Sequence, residues 1–285
     1  MRNLLNTLTI KTTTIAIVFG LAMGANADDP DKMPEAITVL KKFADATGGA
    51  ANYKKVKALK MVGKVEIAAA GISGTLEVIQ VAPNMIATKA EMPQVGSQSQ
   101  GTNGEVGWDI STMMGPRLLE NKELERLQDQ ANLARIYEPE KYYKEMKVVG
   151  IEEIRDQKCY KMKLTKKNGD QSTEYYAVDS GMQICSESTM ETQMGAIEIK
   201  SFVSDYNEVG GIKLPHKIEA EFPNGISQLV TFETVEVNPE LDKSAFAVPD
   251  EIKALMPKEE GSAAKEGSGD KKEGSAAKEE GSGNK

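Results

Sequence analysis

His216 is the only histidine in this 285-residue chain, and Cys159 and Cys185 are its only cysteines. A histidine acts as a general base only where a fold sets a nucleophile beside it. Neither a Gly-x-Ser-x-Gly elbow nor a Cys-x-x-Cys pair is present to supply one. A single imidazole also cannot build the common His-based metal clusters. His216 shares its parity with Leu214, Ile218, Ala220 and Phe222, so a hydrogen-bonded, partly buried ring is expected. The acidic run Asp28-Asp29-Pro30-Asp31 lacks the spaced ligands and turn glycine of a calcium loop, and solvated charge is expected there. With no residues arranged for catalysis, the chain reads as non-enzymatic, with no cofactor and no metal.

The stretch WDISTMMGPRLL, Trp108 to Leu119, is the strongest candidate for binding. Methionine is unbranched and adapts to irregular partners, which suits a pocket for flexible acyl chains. Met113, Met114, Leu118 and Leu119 are therefore candidate ligand-lining residues on a hinge between strand and lid; the alternative is that they fill the seam under a helix. Trp108 either stacks on a ligand or anchors the sheet. Arg117 either holds a ligand head group or fastens the lid through Glu120 or Glu123. Met61, on the apolar parity of an early strand, completes the set.

These residues need a scaffold. Pro34 suits an early helical position, Ala36, Ile37, Leu40, Phe43 and Ala44 fall on one face, and Gly48-Gly49 ends the helix. A second helix is predicted after Leu119: Asn121 caps it, Leu124, Leu127, Ala131 and Ala134 share a face, and Pro139 stops it. The rest alternates with a period of two, as where Leu59, Met61, Val65 and Ile67 interleave with Lys60, Lys64 and Glu66. The same pattern recurs in TLEVIQV, NMIATKAEM, CYKMKL, TEYYAV, AIEIKSFV and KLPHKIEAEF. Short turns between these runs imply antiparallel hairpins. The expected fold is mainly antiparallel β: an unclosed, strongly curved half-barrel of about eleven strands, with an N-terminal and an internal helix as lids. In such a meander TEYYAV separates the cysteines by two strand spacings, roughly 9–10 Å, beyond the reach of a disulfide. Free thiols pointing away from the apolar face are expected.

Residues 1–27 carry Arg2 and Lys11, then the apolar run TIAIVFGLAM, then Ala25-Asn26-Ala27, the order of a secretory signal peptide. The apolar run is shorter than the roughly 20 residues that span a bilayer, so no transmembrane segment is expected in the mature chain. A periplasmic or secreted location follows. Residues 257–285 contain a thirteen-residue unit, EGSAAKEGSGDKK, repeated once with small edits and without a large apolar side chain, and are expected to be a disordered spacer. That leaves residues 28–256 as the folded domain. The formal net charge of −8 argues against nucleic acid and anionic membrane as partners.

The run from Tyr53 to Met92, the hairpin with Tyr175-Tyr176, Val178-Asp179 and Gly181, and the strand opening Gly211-Ile212 with Pro215 resemble the lipoprotein-localisation factors of bacterial envelopes and their LolA/LolB-like relatives. The resemblance spans roughly residues 34–250. It implies an unclosed β-barrel with helical lids around an apolar cavity that carries acyl chains or other lipids. Two functions fit: a carrier for an apolar ligand such as a lipid, an acyl chain or a lipoprotein, or a structural or interaction protein of the envelope with a side-chain-filled core and an envelope protein as partner. They differ in whether a cavity exists.

Overall fold

A computed structural model describes residues 33–257 except 193, 194 and 224; residues 1–27, expected to be a signal peptide, the Asp28–Asp31 run and the repeats from 258 lie outside the described residues. Period-two alternation is realised in thirteen strands. The first six are β1 (Ala58–Ile67), β2 (Ile72–Val81), β3 (Met85–Met92), β4 (Gly96–Thr102), β5 (Gly107–Ser111) and β6 (Gly115–Leu119). Then come β7 (Tyr143–Ile154), β8 (Gln157–Lys166), β9 (Gln171–Ala177), β10 (Gln183–Thr192), β11 (Gly195–Val209), β12 (Ile212–Glu221) and β13 (Ser227–Val237). They form one sheet in the order β6-β5-β4-β3-β2-β1-β13-β12-β11-β10-β9-β8-β7, whose edges β6 and β7 do not pair, so the sheet is open. Thirteen strands replace the expected eleven. The strand hardest to foresee is β4: its GSQSQGT has no apolar alternation, and it is held by its ladders to β3 and β5.

Contacts group the chain into two compact units. The first unit holds residues up to 50, 134–204 and 220–225. Its helix α1 (Ala36–Ala46) buries Val39, Leu40 and Ala44. It ends where Thr47 donates its hydroxyl to Phe43 O at 2.8 Å and where Gly48 and Gly49 take positive φ, the conformation glycine allows most readily, and the one-turn helix α2 (Ala50–Tyr53) follows. This helix packs on β7 and on two one-turn helices, α4 (Ala134–Tyr137) and α5 (Pro139–Tyr142). Val39 and Leu40 meet Tyr143, Met162, Leu164 and Tyr176 in one apolar cluster. The opposite face of the same strands carries a second cluster around Cys159, Tyr175, Cys185 and Phe202.

The second unit holds residues 51–133, 205–219 and those from 226. Its helix α3 (Asn121–Gln130) lies on β3 and β4 and inserts Leu127, with Ala131 beyond its end, into a cluster of Val65, Val78, Ile86, Leu119, Val230 and Phe232. The one-turn helix α6 (Asp250–Lys253) packs on β6 with Ile252 fully buried, and a 3-10 turn over Lys243–Phe246 lies against β3. Between β1 and β13 the register slips at Val62/Gly63, a bulge at which a Cβ on Gly63 would sit 2.0 Å from Thr231 O.

Three local expectations about helices are corrected. Asn121 does not cap α3; Glu120 holds that place without a side-chain bond, and Asn121 has φ 51°. Ala134 does not extend the α3 face, because the helix ends at Gln130 and Ala134 opens α4. Pro139 starts α5 rather than stopping a helix, since its fixed φ and missing N–H cost nothing in a first turn.

Candidate functional site

The residues from Trp108 to Leu119 fold as a hairpin, and period-two geometry divides them between two faces. Trp108 pairs with Leu118, while Asp109 pairs with Arg117 and Gly107 with Leu119. Leu119 joins the cluster beneath α3, and Met61 packs against that same cluster. Trp108 and Leu118 have the opposite parity, that of the face turned away from α3. Trp108 is 3 % exposed, its indole lying over Gly101 of β4, where a Cβ would meet Cζ2 at 2.5 Å. A missing side chain on one strand thus makes room for the large one opposite.

Met113 and Met114 are neither in the seam nor at a hinge to the lid. They form the turn between β5 and β6, 77 % and 66 % exposed. Ser111 Oγ accepts their backbone N–H groups at 3.2 and 3.4 Å, which fixes the turn. Arg117 makes two ion pairs, to Asp109 Oδ2 at 3.2 Å and to Glu123 of α3 at 2.9 Å. It therefore ties the helix to the sheet. Of the seven candidate residues, the structure places Met61, Arg117 and Leu119 on the α3 face, Trp108 and Leu118 on the other, and Met113 and Met114 at a tip.

Four residues outside that set line the border of the α3 cluster: Leu76, Met92, Ile218 and Val235 pack against it while only partly buried, as Met61 does. Their apolar parity was visible in the sequence. That they stay only partly buried was not.

In the first unit a groove of about 750 Å³ crosses β7 to β11 on the face opposite α1. Its floor is a cross-strand row in which Lys147 faces Lys163, Lys163 faces Thr173, Thr173 faces Glu187 and Glu187 faces Lys200. Lys200 pairs with Glu187 at 3.1 Å and Lys147 with Glu145 at 2.5 Å. Leu164, Ile199, Phe222 and Pro223 also line it, so the groove is mixed: a charged cross-strand row bordered by apolar side chains.

Cys159 and Cys185 are free and lie two strands apart, with β9 between them. They point away from α1 but are fully buried in the second cluster of their unit. Burial pushes the Cys185 thiol up to about 12 and raises that of Cys159. His216 is half-buried, with Nδ1 3.0 Å from Leu214 O. Glu174, 7 % exposed, accepts hydrogen bonds from the Tyr176 hydroxyl, from Gln183 Nε2 at 3.2 Å and from Ser172 Oγ at 3.3 Å. Burial, and then the Glu174 carboxylate, hold the Tyr176 phenol well above its usual range. This is an internally satisfied polar anchor. Among the described residues no group of three or more His, Cys, Asp or Glu could hold a metal, and no helix is long and apolar enough to cross a membrane.

No family model matches the chain, and no curated protein matches it significantly. Solved structures do. A DUF1329 family protein from Desulfovibrio piger superposes with a TM-score of 0.51 at 11 % identity, over 75 % of this chain and 98 % of its own. A LolA superfamily protein from Nitrosomonas europaea superposes with a TM-score of 0.50 at 14 % identity, over 76 % of this chain and 99 % of its own. With its open antiparallel sheet and few helices, the chain has a LolA-like fold.

Proposed function

We propose that the protein is a non-enzymatic binding protein of the bacterial envelope that holds an apolar ligand, a lipid or an acyl chain, against the α3 face of its second unit. One observation carries this reading: α3 is a ten-residue helix that buries only Leu127 within its span, and the apolar side chains of Met61, Leu76, Met92, Ile218 and Val235, packed against the cluster that Leu127 enters, are only partly buried. Partly covered apolar side chains in one contiguous group gain free energy from any apolar occupant. The LolA-like fold supports the same reading. In it, residues 1–27 direct export to the periplasm, residues 28–256 bind, and 257–285 act as a spacer.

Native mass spectrometry of the protein purified from its own cells tests this, together with titration of an apolar fluorescent probe. A co-purified lipid and saturable binding of one probe per chain are expected. A clean apo mass with no saturable binding would leave the envelope structural protein, its core filled by Leu127, Ala131 and Phe232, as the better description.

A further inference from the structure

The strands β1 to β6 are joined by three hairpin turns that leave the same end of the second unit: Ala68 to Gly71, Pro93 to Val95, and Thr112 to Met114. None of the three carries a charge, in a chain of which 27 % is charged. Adjacent hairpins are two strand spacings apart, roughly 10 Å, so the tips form a rim rather than a pocket. Ala68, Ala69 and Ala70 are exposed on the first, Pro93 on the second and both methionines on the third. The charges behind the rim are mostly neutralised locally, Glu91 by Lys89 at 2.7 Å and Arg117 by Asp109 at 3.2 Å.

The rim is also held in shape. Besides the bonds of Ser111 to the methionine amides, Thr112 Oγ1 accepts from Ser97 N at 2.9 Å, which clamps the third hairpin to the second. Because the backbone of this turn is already fixed, seating its methionines in a partner orders little further backbone.

We infer that this rim is a docking surface for a lipid bilayer with uncharged or zwitterionic headgroups, into whose interface Met113 and Met114 insert. An uncharged edge of separate turns fits a deformable apolar medium. It provides neither the concavity that would grip a protein knob nor the lysines and arginines that anionic surfaces reward. The chain's net charge of −8 works against an anionic membrane as well. This inference does not depend on an apolar ligand beneath α3.

The test uses protein purified from its own cells and vesicles of phosphatidylcholine alone. Flotation should show the wild type bound, with binding that persists in high salt. Met113→Ser with Met114→Ser should weaken partitioning roughly tenfold for each methionine lost. Because Cys159 and Cys185 are fully buried, Met113→Cys offers one reactive thiol in the native protein, and an environment-sensitive dye attached there should shift to the blue on adding vesicles. Three results would overturn the inference: no blue shift, equal flotation by the serine variant, or binding that needs anionic lipid and disappears in salt. Probe binding beneath α3 should be unchanged in the serine variant, which separates this surface from the ligand site.

Discussion

Replacing Leu127 by alanine should destabilise the second unit by about 3–4 kcal/mol, whereas replacing Met113 by serine should change stability by less than about 0.5 kcal/mol. Leu127 is 3 % exposed and packs among Val65, Val78, Ile86, Leu119, Val230 and Phe232. Removing three carbons loses about 2–3 kcal/mol of transfer free energy, and the unfilled space beneath the helix adds the rest. Polar contacts of α3 are weaker. The Arg117–Glu123 pair is exposed by 31 % and 43 %, and Gln128 and Gln80 supply one side-chain hydrogen bond each, at 2.9 and 3.3 Å. Met113, 77 % exposed, has almost nothing to lose. Urea unfolding followed by the emission of Trp108, the single tryptophan and itself in this unit, reads both variants. A Leu127→Ala midpoint within 1 kcal/mol of wild type, or an equal loss in Met113→Ser, would refute the assignment of Leu127 to the core and Met113 to the surface.

Gly63→Ala should cost about 1–3 kcal/mol, because its Cβ would meet the Thr231 carbonyl at 2.0 Å; an unchanged urea midpoint would contradict the close approach at the bulge. Arg117→Ala should lower stability by no more than about 1 kcal/mol, since both pairs are partly solvated, and a loss several times larger would mean that the arginine anchors more than α3. A chromogenic disulfide reagent should leave both thiols unmodified in the native protein at pH 8 and titrate both after denaturation; fast native reaction would contradict their burial. The Cys185 value of about 12 lies above its unperturbed 9.0, so the folded state keeps a proton that the unfolded chain releases. That contribution is complete below about pH 9 and is lost as pH rises towards 12, and Tyr175 and Tyr176, also raised by burial, act in the same direction. The urea midpoint should therefore be lower at pH 10 than at pH 7.5, and a midpoint that held or rose would contradict this.

What could be read from residues alone was what local chemistry fixes. The face of α1 and its glycine ending, the alternation in β1, β2 and β8, the meander that keeps Cys159 from Cys185 and the half-buried setting of His216 all follow from neighbours a few residues away. The LolA-like resemblance rested on these same strands and turns. Where the local signal was weak, reading stopped: β4 is polar throughout, and the segment after α3 breaks into one-turn helices. Only tertiary structure decided the fate of the Trp108–Leu119 stretch. Alternation says that Trp108 and Leu118 share a face and that Arg117 and Leu119 share the other, but not which element will cover each. That depends on α3 docking over one side and on segments such as α6, from more than a hundred residues further along, returning to pack on β6. Burial is a property of what arrives on a face from elsewhere in the chain, so the same apolar lettering became a buried anchor at Leu119 and an exposed tip at Met113.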